Sequence, residues 1–231
     1  MVDPETINAY EIGLKSRFLD GKLTFNAAAF LTDIADCQTT VSEAVAPGTT
    51  VSIQYLTNIP KVRSRGIEAD LSWSPTSRIT LSASGAYTDA KFVSFTNSPQ
   101  RSEMAIPGTL QVQDLSGRRL PGVSKFAYTL AADVTQPLSP DLEAYARADW
   151  LHRSSFSASA TNSIYGIIPA YGLLNGRIGL RTLDGQLDLS IWARNLLNER
   201  YYANRAAGTF GLITALPGDP RTVGATLRVK W

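Results

Sequence analysis

An alternation of period two runs through the chain from one end to the other, and it limits the fold more than any other feature. From Arg65 to Trp73 one parity reads Ile67, Ala69, Leu71 and Trp73, and the other reads Gly66, Glu68, Asp70 and Ser72. Ile79, Leu81, Ala83, Gly85 and Tyr87 alternate with Thr80, Ser82, Ser84, Ala86 and Thr88. Phe126, Tyr128, Leu130, Ala132 and Val134 alternate with Ala127, Thr129, Ala131, Asp133 and Thr135. The last residues repeat the pattern, with Val223, Ala225, Leu227, Val229 and Trp231 set against Thr222, Gly224, Thr226, Arg228 and Lys230. Successive side chains of a strand point to opposite faces, so alternation sustained over about eight residues or more demands two-faced strands and excludes helices. The chain reads as all-β.

Two architectures present two-faced strands. A soluble sandwich or lipocalin-like barrel turns its apolar parity inward. A membrane barrel turns it outward to lipid and keeps the polar parity for the lumen. Strand length separates them, because soluble strands average about 5 to 6 residues and tilted membrane strands need about 9 to 11. The runs here are of the long kind. Connectors point the same way. Short turns at Leu19-Asp20-Gly21, Ser74-Pro75-Thr76-Ser77, Pro137-Leu138-Ser139-Pro140 and Leu183-Asp184-Gly185 alternate with long polar connectors near 35–50, 93–122, 153–168 and 198–218. Short periplasmic turns and long extracellular loops are the asymmetry of outer-membrane barrels. Trp73 and Trp231 close strands on the short-turn side, and Tyr87 and Trp150 close them on the long-loop side, all on the apolar parity as interfacial girdles require. Trp192 departs from the rule, since Leu187, Leu189 and Ile191 take the lipid face and leave Trp192 in the lumen.

Composition removes other classes. With 22 basic and 20 acidic residues the net charge is +2, which gives no electrostatic footprint for nucleic acid. The single cysteine, Cys37, excludes an internal disulfide and a thiolate-rich zinc site, and the single histidine, His152, excludes sites needing two imidazoles. No apolar run approaches the roughly 18 to 20 residues of a spanning helix. The amino terminus has neither the basic nor the apolar region of a signal peptide. No cofactor is expected.

The pattern predicts strands over 6–17, 22–34, 51–74, 78–92, 123–136, 141–152, 169–182, 186–197 and 219–231. An odd set of antiparallel strands cannot close on itself antiparallel, and open edges would leave backbone groups unpaired in lipid. The chain is therefore expected to be the back part of a larger barrel. Segment 51–74 is long and carries Pro60; were 51–58 a strand of its own, the count would become ten and a self-contained small barrel, a pore or a surface enzyme, would be possible. Asn58-Ile59-Pro60-Lys61-Val62 makes a poor outside loop, which favours one long strand.

Several stretches, in order and spacing, resemble one family. They are Pro4-Glu5-Thr6-Ile7-Asn8-Ala9-Tyr10-Glu11-Ile12-Gly13-Leu14-Lys15, Leu19-Asp20-Gly21-Lys22-Leu23, Arg65-Gly66-Ile67-Glu68-Ala69, Leu120-Pro121-Gly122-Val123-Ser124-Lys125, Asn195-Leu196-Leu197-Asn198-Glu199-Arg200-Tyr201-Tyr202 and Gly218-Asp219-Pro220-Arg221-Thr222-Val223-Gly224. The chain is similar to the C-terminal part of the β-barrel of a TonB-dependent outer-membrane receptor. The resemblance implies an antiparallel transmembrane barrel portion, about nine C-terminal strands of a barrel of about 22, over residues 1–231. It implies a place in the outer membrane of a Gram-negative bacterium and a part in active transport of ferric siderophores or a similarly scarce ligand. Implied partners are outer-membrane lipid, the barrel-assembly machinery, and the TonB complex acting through a plug domain. That plug, the TonB box and the signal peptide have no counterpart in the sequence. The resemblance further implies that Val223, Ala225, Leu227, Val229 and Trp231 form the signal read by the assembly machinery, although Trp231 stands where the family usually has Phe.

Within that frame Glu11, Lys15, Glu68, Asp70, Glu143, Arg147, Asp149, Arg177, Arg181, Asp188, Arg194, Arg228 and Lys230 fall on the lumen parity, where a watery or plug-filled interior needs polar walls. Ligand recognition belongs by resemblance to the long loops, whose candidates are His152, Arg153, Phe156, Tyr165, Tyr201, Tyr202, Arg205 and Phe210. Aromatic rings with arginines suit a planar anionic chelate. A catalytic role is not expected, because His152 near Asp149 is only a faint echo of an outer-membrane protease and no second acidic pair or nucleophile elbow accompanies it.

Overall fold

β-Branched and aromatic residues alternating with small or polar ones fit a pleated surface whose two faces meet different media, and the chain folds into strands wherever that alternation holds. In the computed structural model, which describes residues 2–44, 52–104, 112–207 and 212–230, one sheet of nine strands dominates. Its members are β1 (Thr6–Phe18), β2 (Leu23–Ala44), β3 (Ser52–Thr76), β4 (Ile79–Ser94), β5 (Phe126–Pro137), β6 (Leu142–Arg153), β7 (Tyr171–Thr182), β8 (Leu187–Arg194) and β9 (Thr222–Val229). Each pairs antiparallel with its predecessor and successor, so the sheet is a meander. β1 and β9 form its two ends and do not pair with each other. No helix among the described residues is long and apolar enough to cross a membrane. The crossing elements are the strands.

The register carries the two faces across the whole sheet. Leu81 of β4 meets Ala132, Ala132 meets Ala148 and Ala148 meets Gly176, all on the apolar parity. Glu143 meets Arg181, Arg181 meets Asp188 and Asp188 meets Arg228 on the other. The apolar face lies open: Ile12 is 77% exposed, Ile178 61%, Ile191 61% and Leu227 62%. A water-soluble sheet could not leave a patch of that extent uncovered. Trp192 faces the polar side as its parity demands. Its ring lies over Gly224, where a Cβ would come within 2.4 Å of it, and its Nε1 donates to Thr226 Oγ1 at 3.1 Å.

Short turns close one end of the sheet. Leu19 and Asp20 take φ 52 and Gly21 takes φ 86, a left-handed run in which glycine carries no steric cost. In the Asp184-Gly185 turn the Asp184 carboxylate accepts from Thr182 Oγ1 at 2.5 Å and from the Gln186 N–H at 3.0 Å. The Thr182 hydroxyl, followed by that N–H, holds this carboxyl below its ordinary range.

The other end differs from expectation: the connectors near 93–122, 153–168 and 198–218 each carry a two-stranded ladder, and the first connector differs most. The segment near 35–50 is not mainly a connector. β2 runs on to Ala44, and its ladder with β3 continues to the pair Ala44 and Ser52. Alternation fades after residue 34 because a hairpin standing above the membrane has no lipid face to satisfy while its hydrogen bonds persist, and its foot, Ile34, Cys37, Ile59 and Val62, packs on the next connector instead. Residues 52–58 belong to the same strand as 61–76, so 51–58 does not supply a tenth strand. Asp36 takes φ 54 beside Pro60, which has no N–H to donate; its carbonyl accepts instead from Asn58 Nδ2 at 2.7 Å.

Buried apolar residues gather at this end. Ile59, Val62, Phe92, Phe95 and Leu115 form one cluster, flanked by Ile34, Cys37 and Leu120. The connector after β4 folds back to build it: Leu115 N–H donates to Phe95 O, Gly117 N–H to Phe92 O and Leu120 N–H to Ala90 O.

Candidate functional site

The sheet's polar face is concave, and a wide recess on it is lined by Glu11, Lys15, Asn26, Glu68, Asp70 and Arg153 among others. This face carries the charges assigned to the lumen, many of them in pairs. Arg181 donates to Glu143 Oε1 through Nε at 2.8 Å and through a terminal nitrogen at 2.6 Å. Arg147 reaches both oxygens of Asp133 at 3.0 Å. Tyr145 O–H donates to Asp188 at 2.7 Å, and its ring covers Gly179. Asn175 Nδ2 donates to Asp149 at 2.7 Å. Such pairs fix side chains on a wet wall and add little net stability each. Among the described residues no group of His, Cys, Asp and Glu is placed to hold a metal ion.

Above the wall the long connectors are knotted to one another. Glu103 accepts from Ser163 Oγ and from the Ile164 N–H, both at 2.8 Å. Gln113 Nε2 donates to the carbonyls of Pro99 at 2.8 Å and Thr161 at 2.9 Å. Burial alone would raise the Glu103 carboxyl, but the Ile164 and Glu103 N–H groups and the Ser163 hydroxyl outweigh it and hold the group below its ordinary range. Asn195 does similar work for the last connector. Almost fully buried, it donates to Glu199 O at 2.9 Å and Asp219 O at 3.0 Å while its Oδ1 accepts from the Glu199 N–H at 2.8 Å. Asn198 Oδ1 accepts from the Arg221 N–H at 3.0 Å.

The eight loop candidates fall into different settings. His152 pairs with Tyr128 and Gly172 on the apolar parity, and its ring stacks on Tyr128 at 4.9 Å. Asp149 lies on the opposite face, so the two do not form a dyad. Arg153 is bound to its own scaffold: Nε donates to Ser124 Oγ and a terminal nitrogen to Gly122 O, each at 2.6 Å, while the guanidinium sits 3.8 Å from the centroid of the nearly buried Phe156. Tyr201 stacks on Tyr171 at 4.6 Å and covers Gly218. Tyr165, in the short 3-10 turn Ile164–Gly166, is 38% exposed, and Tyr202 is 40% exposed. Arg205 lies 4.9 Å from the Tyr202 ring and donates to Ile167 O at 2.7 Å, which brings the two final connectors together. Arg205 Nε is buried without a hydrogen-bond partner among the described residues. Phe210 lies outside the described residues. Of the assembly-signal residues, Val223, Ala225, Leu227 and Val229 line the exposed apolar face of β9, and Trp231 lies outside the described residues. Sequence reasoning missed Glu103 and Gln113, which no local pattern marks. Asn195 was missed as well, although paired asparagines three apart at a strand end were the available signal.

A long-stranded meander with a lipid-ready outer face, a charged concave face and knotted loops at one end is the wall of an outer-membrane barrel. Residues 2–196 match the family described as TonB dependent receptor-like, beta-barrel, and the chain belongs to that family, whose members are Gram-negative outer-membrane proteins. It is 25% identical, over an alignment of 238 positions, to the metal-pseudopaline receptor CntO of Pseudomonas aeruginosa, covering 99% of this chain and 28% of the relative. In structure it is similar to the ferric yersiniabactin uptake receptor FyuA from Yersinia pestis, with a TM-score of 0.74, 18% identity, and coverage of 97% of this chain and 30% of the other. It is likewise similar to the siderophore receptor PiuA from Acinetobacter baumannii, with a TM-score of 0.68, 24% identity, and coverage of 98% and 28%. The chain spans less than a third of the length of these relatives.

Proposed function

We propose that this chain is the C-terminal part of the wall of an active-transport receptor for ferric siderophores or a similar scarce metal chelate, energised through TonB by way of a plug domain. The observation that carries the proposal is the nine-stranded meander whose end strands, β1 and β9, do not pair with each other. In lipid both edges would expose unpaired N–H and C=O groups, at a cost of roughly several kcal/mol each. A wall of this kind is stable as part of a closed barrel. The siderophore and metal receptors among its relatives support the choice of ligand class.

In this reading the paired charges of the concave face meet the plug, and Tyr165, Tyr202 and Arg205 at the junction of the last two connectors meet the ligand. An arginine with two exposed rings suits an anionic, partly planar chelate. The apolar parity of β9, ending on Trp231, is the element read by the barrel-assembly machinery. Immunodetection in outer-membrane fractions tests the proposal. A band between three and four times the 25.0 kDa of this chain is the expected result, and a heat-modifiable monomer near 25 kDa would overturn it.

A further inference from the structure

Most of the outer face is apolar, but one part of it is not. On β2, β3 and β4 the apolar parity continues upward through Ala29, Ile67 and Tyr87, and the next two ranks on the same parity are charged. Leu31, Arg65 and Asp89 form the first rank; Asp33, Arg63 and Lys91 form the second. Arg119, from the connector that folds back beside β4, bridges to Lys91 and extends the second rank across a fourth segment. Lys61 stands within 3.8 Å of Asp33. Just below, Lys125 lies 5.4 Å from the Tyr87 ring and 5.9 Å from the Phe126 ring, which marks the level where lipid gives way to water.

The cations outnumber the acids in this patch. Asp33 is engaged by Arg63 Nε at 2.6 Å and its terminal nitrogen at 2.8 Å, and Asp89 by Lys91 at 3.0 Å and Arg65 at 3.3 Å. Lys61, Arg63, Arg65, Lys91 and Arg119 thus stand against two carboxylates, and three of them, Arg63, Arg65 and Lys91, line a shallow recess with Asp89, Phe92, Val93 and Gly117. Arg65 is the most open of the four ion-paired cations, with 61% of its side chain exposed. At roughly 4.8 Å between strands, the second rank is about 14 Å wide, the scale of a sugar-phosphate headgroup rather than of one small ion.

We propose that this outer-face patch, Lys61, Arg63, Arg65, Lys91 and Arg119, binds the phosphate groups of a phosphorylated glycolipid in the outer leaflet. The proposal rests on the outer-membrane reading of the chain. Its argument is continuity and charge: the patch adjoins the exposed apolar band directly, so a lipid whose acyl chains cover Ala29, Ile67 and Leu71 holds its headgroup at the height of the cations. Forked guanidiniums suit phosphate oxygens, and charge-assisted bonds are the strong ones.

The test uses the polypeptide that carries this chain, extracted from outer membranes in a mild non-ionic detergent and analysed by native mass spectrometry. The probes are bisphosphorylated lipid A, the same lipid after enzymatic dephosphorylation, and inorganic phosphate as competitor. We expect retention of the bisphosphorylated lipid only, a roughly tenfold loss of occupancy in the Arg63→Gln/Lys91→Gln/Arg119→Gln variant, and a gain in Asp89→Asn, which misfolding cannot mimic. Equal retention of the dephosphorylated lipid, unchanged occupancy in the triple variant, or displacement by millimolar inorganic phosphate would each overturn the proposal. Absence of the polypeptide from outer membranes would instead refute the transport reading.

Discussion

Between the short turns and the Tyr87–Phe126 level the wall leaves Ile12, Ile178, Ile191 and Leu227 more than half exposed, whereas in the cap above it Val62, Phe92 and Leu115 are 2–3% exposed. The same residue types sit in opposite surroundings within one chain. The wall needs no core of its own on its outer side, because lipid takes that place and backbone pairing supplies specificity. The cap stands in water and must bury its own apolar surface to order its connectors. The molecule is inside-out below the girdle and conventional above it.

The contrast can be broken at chosen points, most strongly in the cap. Phe92→Ala removes a ring packed on Phe95 with centroids 5.2 Å apart; the expected loss is about 3–5 kcal/mol in local opening of the cap, read as faster hydrogen exchange over 92–98 and 113–120 with β6–β9 unchanged. Loss of protection across the whole wall would deny the separation of the two regions. Next comes Asn195→Asp, which keeps an acceptor toward the Glu199 N–H but loses both donors and turns a carboxylate on two carbonyls. A cost of about 2–3 kcal/mol is expected, measured by denaturant unfolding in detergent, with the last connector opening first. Ile178→Ala on the outer face should cost only the transfer contribution, about 1–2 kcal/mol, because lipid or detergent fills the space and leaves no cavity. A cost equal to that of Phe92→Ala would mean that the outer face is packed by protein.

The smallest effect is one of pH. The Glu103 carboxyl is lowered in the folded cap, so its contribution is fully present above the pH at which an unfolded glutamate protonates. It is lost as pH falls through the lower, folded value. Protease accessibility of 99–104 and 161–166 should therefore stay constant from neutral pH down to the ordinary glutamate range, and rise progressively as pH falls through that range to the lower, folded value. Glu103→Gln should show that accessibility at every pH.

The wall was legible because period two, repeated along the whole chain, fixes strand number, parity and register together; even Trp192 was placed on the polar face. The upper part of β2 was not legible, since past Ala35 the strand leaves the level of lipid and the binary signal vanishes. The cap was least legible of all. Glu103 finds Ser163 60 residues away, and Gln113 finds Thr161 48 residues away, distances at which no periodicity survives. The loop candidates met the same limit: that Arg153 is bound to Ser124 and Gly122, or that Tyr201 covers Gly218, depends on how connectors fold back and not on residue type.

Within the nine-stranded sheet every strand pairs only with the strands before and after it in the chain. One hairpin therefore contributes about 10 Å of circumference, two interstrand spacings, and carries its register internally. A duplicated or deleted hairpin would change the bore in discrete steps while leaving every other ladder as it was. Connector length at the outer end is independent of that count. Bore and outer decoration are thus separately adjustable, so channel width and specificity can diverge by different kinds of genetic event.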